Sequence, residues 1–359
     1  PFKKAIRFKG QGQFHPVKYV YGMAKAFESA GGNILQNCFV QDVKEGRILE
    51  VQTTRGVFKT KKLIYATHIP PGVNMLHMRC APYRSYVMAA ELKNNAYPEF
   101  PAYDMKDPYH YYRTQEMGGK KYLIAGGEDH KTGHEKDTDL PFDRLGSYLK
   151  RYFKIKNIAF QWSSQYFDPA DGLAYIGHLP GSSDNIFVAT GFGGNGMTYS
   201  HIAAKVLSTL IISGNHEYEN IFNPGRIKPV AGFSNFIKEN SDVVSSFVGD
   251  RIDMYKSSSL AGLRNGTGRV IKKPGHSPLG VSKDEIGKIH AIDPVCTHLK
   301  CIVQWNKTEK SWDCPCHGAR YSMDGEVLNA PGTVALASAP TEKKELDDKS
   351  AGEKVLADK

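Results

Sequence analysis

The chain has 359 residues, of which 40% are hydrophobic, 23% charged and 11% aromatic, a profile of globular domains with room for two or three cores. The net charge of +10 comes from scattered pairs such as Lys3-Lys4, Lys61-Lys62, Lys120-Lys121 and Lys272-Lys273. These form no basic arm or stripe, so a nucleic-acid partner is not expected, whereas an acidic redox partner would suit the charge. No run approaches the roughly 18 apolar residues of a membrane helix; the most apolar helical candidate, Met197 to Ile212, carries Ser200, His201, Lys205 and Ser208. No integral membrane segment is therefore expected.

In chain order, Val17–Ala30 reads as a helix stopped by Gly31-Gly32. Short β-like runs follow at Asn33–Leu35, Phe39–Lys44, Ile48–Thr53 and Gly56–Lys61, and Lys62–Thr67 reads as a buried strand. Met88–Leu92, Tyr109–Thr114 and Lys121–Gly126 continue the β pattern, consistent with a mainly antiparallel sheet. Pro141–Phe153 suits a helix. Ile186–Thr190 suits a strand that enters a glycine-rich turn and then the helix Met197–Ile212. Turn chemistry at Asn223-Pro224-Gly225 and Pro229 marks a change of unit. The expected division is 1–232, a helical linker over 233–262, an all-β unit over 263–340, and a disordered, charge-rich tail over 341–359. The fold class is thus α+β or α/β first, all-β last, with no internal repeat.

The strongest chemical signal is Cys296-Thr297-His298-Leu299-Lys300-Cys301 followed by Cys314-Pro315-Cys316-His317-Gly318. Two loops each offer one thiolate and one imidazole, in the pattern C-x-H and C-x-x-H. Such a set suits a two-iron cluster with two thiolates on one iron and two imidazoles on the other. A structural zinc needs four ligands, whereas six candidates stand here. Cys38 and Cys80 stand alone and read as small buried residues.

These loops resemble the Rieske proteins of respiratory and photosynthetic cytochrome complexes, and the Rieske domains fused to flavoproteins. The resemblance implies a [2Fe–2S] cluster with Cys296 and Cys314 on one iron and His298 and His317 on the other. It implies a Cys301–Cys316 disulfide joining the loops, a covering proline loop at Asn329-Ala330-Pro331-Gly332, and solvent-facing imidazoles as the electron exit. High-potential members carry a serine where this chain has Ala319, while Tyr321, the other donor near the cluster, is present. Hydrogen bonds to sulfur favour the reduced state, so a potential below that of the respiratory proteins is expected.

Gly191-Phe192-Gly193-Gly194-Asn195-Gly196 satisfies G-x-G-x-x-G by spacing, but it precedes the last helix of its unit, whereas a Rossmann fingerprint opens one. Together with Gly12–Pro16, Ala66-Thr67-His68, Asp171–Gly177 and Ala189–Thr198, it resembles the later portion of flavin-dependent amine oxidases of the D-amino acid, glycine and sarcosine oxidase type. That resemblance implies FAD, held by Val40, Ala66, Thr67, Asp171, Gly172, Gly191, Phe192, Gly193, Gly194, Asn195, Gly196, Met197 and Thr198, with the turn's amides beside the flavin ring. It also implies that the chain starts about 100–150 residues, one domain's worth, too late to include the pyrophosphate-binding segment. The family's substrate-carboxylate arginine falls at Tyr166, which argues against amino acid oxidation. Arg113 is an alternative carboxylate binder.

Asp129, His130 and His134 read as a hairpin or solvent loop rather than a mononuclear iron site, and His15, His68 and His201 read as structural. A Rieske oxygenase would place its Rieske domain first and an iron domain after it. The combined reading is an oxidoreductase passing electrons between FAD and a Rieske cluster, acting on an unidentified small molecule. The alternative is an electron-transfer module on a vestigial flavin fold. The expected compartment is the cytoplasm, although the chain opens on Pro1 and a targeting signal could precede it.

Overall fold

The computed structural model describes residues 4–226, 262–271 and 277–339. The expected linker helix and charged tail lie outside them. Helix α1 (Pro16–Ser29) begins with proline at its first position and the His15 ring accepting from the Lys18 amide, both favourable at a helix start. Strands β1 (Val40–Lys44), β2 (Leu49–Thr53) and β3 (Gly56–Thr60) form an antiparallel sheet. Asn33–Leu35, expected as a strand, forms none. It runs straight into a turn at Asn37, whose φ is 53°.

Strand β4 (Leu63–Tyr65) leads through a loop to a 3-10 turn (Met75–Met78) and then to β5 (Cys80–Leu92). β6 (Ala102–Tyr103), β7 (His110–Met117), β8 (Lys120–Lys131), α2 (Leu140–Tyr152) and β9 (Ile155–Pro169) follow. The sheet order is β6-β7-β8-β5-β9, antiparallel throughout. α2 packs Phe142, Leu145, Tyr148 and Leu149 against Tyr86, Met88, Ala90 and Leu123 of the sheet. β9 was not foreseen. Against β5 it carries an extra residue at Ala159 and another at Lys156, so its strict alternation is lost.

β10 (Tyr175–His178) and β11 (Ile186–Thr190) pair antiparallel, and β11 pairs parallel with β4. α3 (Gly196–Ser213) lies over them through Ala203, Val206, Leu207 and Leu210, and the short α4 (Glu219–Phe222) follows. No described helix is long and apolar enough to cross a membrane. The C-terminal unit has one sheet of β12 (Gly268–Ile271), β13 (Leu279–Lys283) and β14 (Ile289–Ile292). The other is β15 (Gln304–Asn306), β16 (Ser311–Asp313), β17 (Arg320–Tyr321) and β18 (Val327–Asn329). Trp312, Tyr321, Val303 and the cluster-loop cysteines form its core.

Candidate metal centre

The two Cys/His loops are built as matching turns. Cys296 donates its amide to the Cys301 carbonyl at 2.8 Å, and Cys314 donates to Ala319 at 2.8 Å. The Cys301–Cys316 disulfide ties the loops, with a Cα–Cα separation of 6.5 Å. Cys301, Cys314 and Cys316 bring their sulfurs within 4.8 Å of one another. With Cys301 and Cys316 bonded to each other, the free buried thiols of the two loops are Cys296 and Cys314.

Those two thiols share a hydrogen bond that draws Cys296 down to about 6 and pushes Cys314 up. Thiols must be deprotonated to bind metal, and the pull on Cys296 favours its thiolate. The His298 and His317 rings stand perpendicular with centroids 5.0 Å apart. Burial is the main reason His298 falls to about 3, with His77 and His317 adding to it, and burial likewise takes His317 to about 4. Both imidazoles are therefore neutral and able to donate a lone pair.

Neither nitrogen of His298, nor Nδ1 of His317, reaches hydrogen-bond geometry with a protein group, although the Gly72 carbonyl pulls weakly on the His298 proton. Unpartnered buried nitrogens are costly. Together with the two thiols, they are the kinds of donor a [2Fe–2S] cluster of this type requires. The Tyr321 hydroxyl lies 3.3 Å from Cys296 Sγ and 3.0 Å from Thr297 Oγ1. Ala319 is fully buried and brings no donor. The 329–332 loop folds over Tyr321 so closely that a Cβ at Gly332 would strike the phenol oxygen.

The expectation of solvent-facing imidazoles holds only in part, since His298 is half-buried and His317 is buried. His317 is only 5% exposed, because the N-terminal unit covers the histidine face. The His77 ring stands edge-on to His298 at 4.6 Å and lies 6.0 Å from His317. The Gly72 amide donates to the Pro331 carbonyl at 3.0 Å. Gln165 donates to the Gly318 carbonyl at 2.9 Å and accepts from Thr132 at 3.1 Å. A Cβ on Gly133, whose φ is +76°, would come within 2.8 Å of Pro315. Asp129, His130 and His134 do not form a solvent loop either. Asp129 and His130 belong to β8, accepting from Tyr166 at 2.9 Å and bonding Tyr86 at 2.8 Å respectively, and His134 reaches the Pro315 carbonyl at 3.3 Å.

Away from the loops, Arg84 is 1% exposed and lies between the units. It donates to Ser163 Oγ at 2.8 and 3.0 Å and pairs with Glu309 at 3.5 Å and Asp313 at 3.7 Å. Thr308 Oγ1 bonds Asp139 at 2.9 Å, and Lys307 pairs with the same carboxylate.

The glycine-rich turn lies at the carboxyl ends of the parallel pair β4 and β11, where α/β sheets bind ligands. Thr190 Oγ1 donates to the His68 carbonyl at 2.6 Å, joining the end of β11 to the Ala66-Thr67-His68 segment. Gly191, at φ +69°, packs so closely that a Cβ would approach Cys80 Sγ at 3.1 Å and Tyr175 at 3.2 Å. Gly193 donates to the Phe167 carbonyl at 3.0 Å. Gly194, Asn195 and Thr198 are exposed, as are Ala66, Thr67 and Gly172, and no side chain caps the start of α3. Free amides and the positive helix end there suit negative charge on a ligand.

The structure thus brings together Ala66, Thr67, Asp171, Gly172, Gly191, Phe192, Gly193, Gly194, Asn195, Gly196, Met197 and Thr198. Val40 lies instead at the start of β1, paired with Thr53 on another sheet. Asp171 is held by Arg226 through two 2.7 Å bonds, which fix the Asp171-Gly172 turn. Arg113 donates to the Phe14 carbonyl at 3.0 Å and to Gln115 at 3.1 Å. Sequence reasoning missed His77, Gly72, Arg84, Gln165 and Arg226, which stand in no motif.

Residues 1–210 match the family described as FAD dependent oxidoreductase, and residues 253–340 match the Rieske [2Fe-2S] domain. The chain belongs to the FAD-dependent oxidoreductases and carries a Rieske domain at its C-terminal end. Among relatives, it is 33% identical over 93% of its length to YhfW of Bacillus subtilis (strain 168), named as a Rieske 2Fe-2S iron-sulfur protein. It spans 66% of that protein's length. The chloroplastic cytochrome b6-f complex iron-sulfur subunit of Arabidopsis thaliana is 44% identical over 17% of this chain and 27% of its own. Glycine oxidase from Geobacillus kaustophilus superposes with a TM-score of 0.48 at 17% identity, covering 58% of this chain and 57% of that one.

Proposed function

We propose that this oxidoreductase passes electrons between an FAD site at the glycine-rich turn and a [2Fe–2S] cluster held by Cys296, His298, Cys314 and His317. FAD would supply hydride chemistry and the cluster one-electron transfer. The observation that carries the reading is the covered histidine face: His298 and His317 look onto the loop that leaves the flavin-side segment at His68. An electron port meant only for external partners would stand open.

The chain's own groups have distinct tasks. Cys296 and Cys314 supply anionic sulfur, and His298 and His317 supply neutral nitrogen. Tyr321 donates toward Cys296, and the disulfide holds the two loops in register. The uncapped start of α3 offers a positive helix end, while Arg226 keeps the Asp171 turn in place. Leu299 is 41% exposed and Lys300 is exposed beside it, so an acidic external partner would meet the cluster at that tip.

Anaerobic reductive titration of the purified protein, followed by absorption and EPR, tests this. The expected result is a flavin band and a rhombic low-g signal sharing one electron pool, two electrons for the flavin and one for the cluster. A cluster signal from protein that binds no added FAD would favour the vestigial-flavin reading and overturn the proposal.

A further inference from the structure

Between the glycine-rich turn and the cluster loops runs one continuous strap, residues 66–79, and every turn of it is pinned. Thr67 Oγ1 donates to the Ile69 carbonyl at 2.8 Å, and His68, at φ 73°, offers its carbonyl to Thr190 at 2.6 Å. The Asn74 amide donates to His77 Nδ1 at 3.1 Å, so in the neutral ring the proton sits on Nε2. That nitrogen then donates to the Pro70 carbonyl at 2.8 Å. Asn74 also accepts from the Leu76 amide at 2.9 Å and donates to Pro180 at 3.2 Å.

His77 is only 4% exposed. Its two nitrogens are consumed by backbone groups, yet its ring edge is presented to both cluster histidines. His77 completes the capping box of the 3-10 turn with Asn74, and an imidazole with both nitrogens committed in this way is a ring held at a fixed angle.

We infer that His77 is the contact through which single electrons cross between the flavin-side turn and the cluster. The path runs from Thr190 through the His68 carbonyl, along Ile69 and Pro70, across the Pro70–His77 hydrogen bond, and from the His77 ring to His298. Hydrogen bonds and covalent bonds couple donor to acceptor better than gaps do, and apart from its last step, ring edge to ring at 4.6 Å between centroids, this path has none. Each crossing moves one electron. Two successive crossings empty a two-electron-reduced flavin, whose protons leave to solvent, and an external one-electron acceptor protein reoxidises the cluster between them. His77 is a positioning residue and is not itself oxidised. The inference rests on the proposed electron exchange between the two sites.

The test compares His77→Phe and His77→Gln with the unsubstituted protein, each loaded with cluster and FAD. Phe keeps the ring packing and loses the bond to Pro70, whereas Gln keeps an Nε2–H donor. The flavin is photoreduced anaerobically and cluster bleaching is timed, with the cluster's EPR spectrum and midpoint potential recorded on the same samples. The expected result is that Phe slows bleaching by about tenfold or more, the scale seen when support around a metal site is removed. Gln should recover part of the rate, with EPR and potential nearly unchanged in both. An unchanged rate in the Phe variant overturns the inference and leaves the proposed function standing. Absence of transfer in the unsubstituted protein overturns both.

Discussion

At the level of single residues, the cluster environment is asymmetric. The Tyr321 hydroxyl lies 3.3 Å from Cys296 Sγ, where it can donate to a thiolate, but Ala319 is buried and brings no donor. A hydrogen bond to sulfur stabilises the reduced, more negative state. Ala319→Ser should therefore raise the midpoint potential, and Tyr321→Phe should lower it, each by about 40 mV if one bond is worth about 1 kcal/mol. Protein-film voltammetry would read both, and a shift of the opposite sign in either would show that the hydroxyl does not face sulfur. This asymmetry was legible in the sequence, since one position after the second-loop glycine decides it. His77 was not legible, because a lone histidine in a short connecting segment carries no pattern.

A second residue-scale feature lies in the large sheet. Buried His110 bonds Asp104 at 3.1 Å through Nδ1 and Glu128 at 2.9 Å through Nε2, and stacks on Tyr148 at 3.9 Å. Burial works against the Asp104 carboxylate, but the amides of His110 and Lys106 and the His110 ring outweigh it, so its pKa is lowered. A carboxyl whose folded pKa is depressed adds stability above its unfolded value, near 4, and that stability is lost as pH falls through the folded pKa. Asp104→Asn should cost about 2 kcal/mol at pH 7 and flatten the acid fall of the urea midpoint. An equally steep fall in the variant would assign the acid sensitivity elsewhere.

Among the elements, the two cluster loops depend on their crosslink. Cys301 and Cys316 close a loop with a sequence separation of 15, for which chain entropy alone gives about 3 kcal/mol. The double change Cys301→Ser, Cys316→Ser should lower stability by about that amount and hasten cluster loss to chelator, followed by the decay of the visible bands. Unaltered decay would mean that the loops are held by the covering N-terminal unit instead. The strands and helices nearest the site were readable where periodicity was clean: Ile186–Thr190 is a fully buried run in a parallel pair, and α3 follows its glycines. β9 escaped because its own bulges, at Ala159 and Lys156, interrupt alternation, and Asn33–Leu35 looked extended only because a run that short fits any pattern. Arg226 escaped because its partner, Asp171, is 55 residues away in sequence.

For the molecule as a whole, the instructive departure is the orientation of the Rieske unit. Its ligand spacing is local and was readable. Which way its histidines face is set by residues hundreds of positions earlier, which no local motif reports. Arg84 joins β5 to two Rieske carboxylates, Glu309 and Asp313, while Asp313 keeps its second partner, Arg320, at 3.0 Å. Removing one member of a buried ionic network leaves charge unpaired, so Arg84→Met should weaken docking by about 3 kcal/mol. In calorimetry, a single cooperative transition would split into two. A single transition of unchanged midpoint would mean that the histidine-face contacts alone hold the units together.

The central claim is that Cys296, His298, Cys314 and His317 hold a two-iron cluster. EPR of the dithionite-reduced protein, with metal analysis of the same sample, tests it most directly. The account predicts two irons per chain and a rhombic signal of low average g that carries nitrogen coupling from two histidines, lost on His298→Ala or His317→Ala. A silent spectrum with zinc as the bound metal would contradict it.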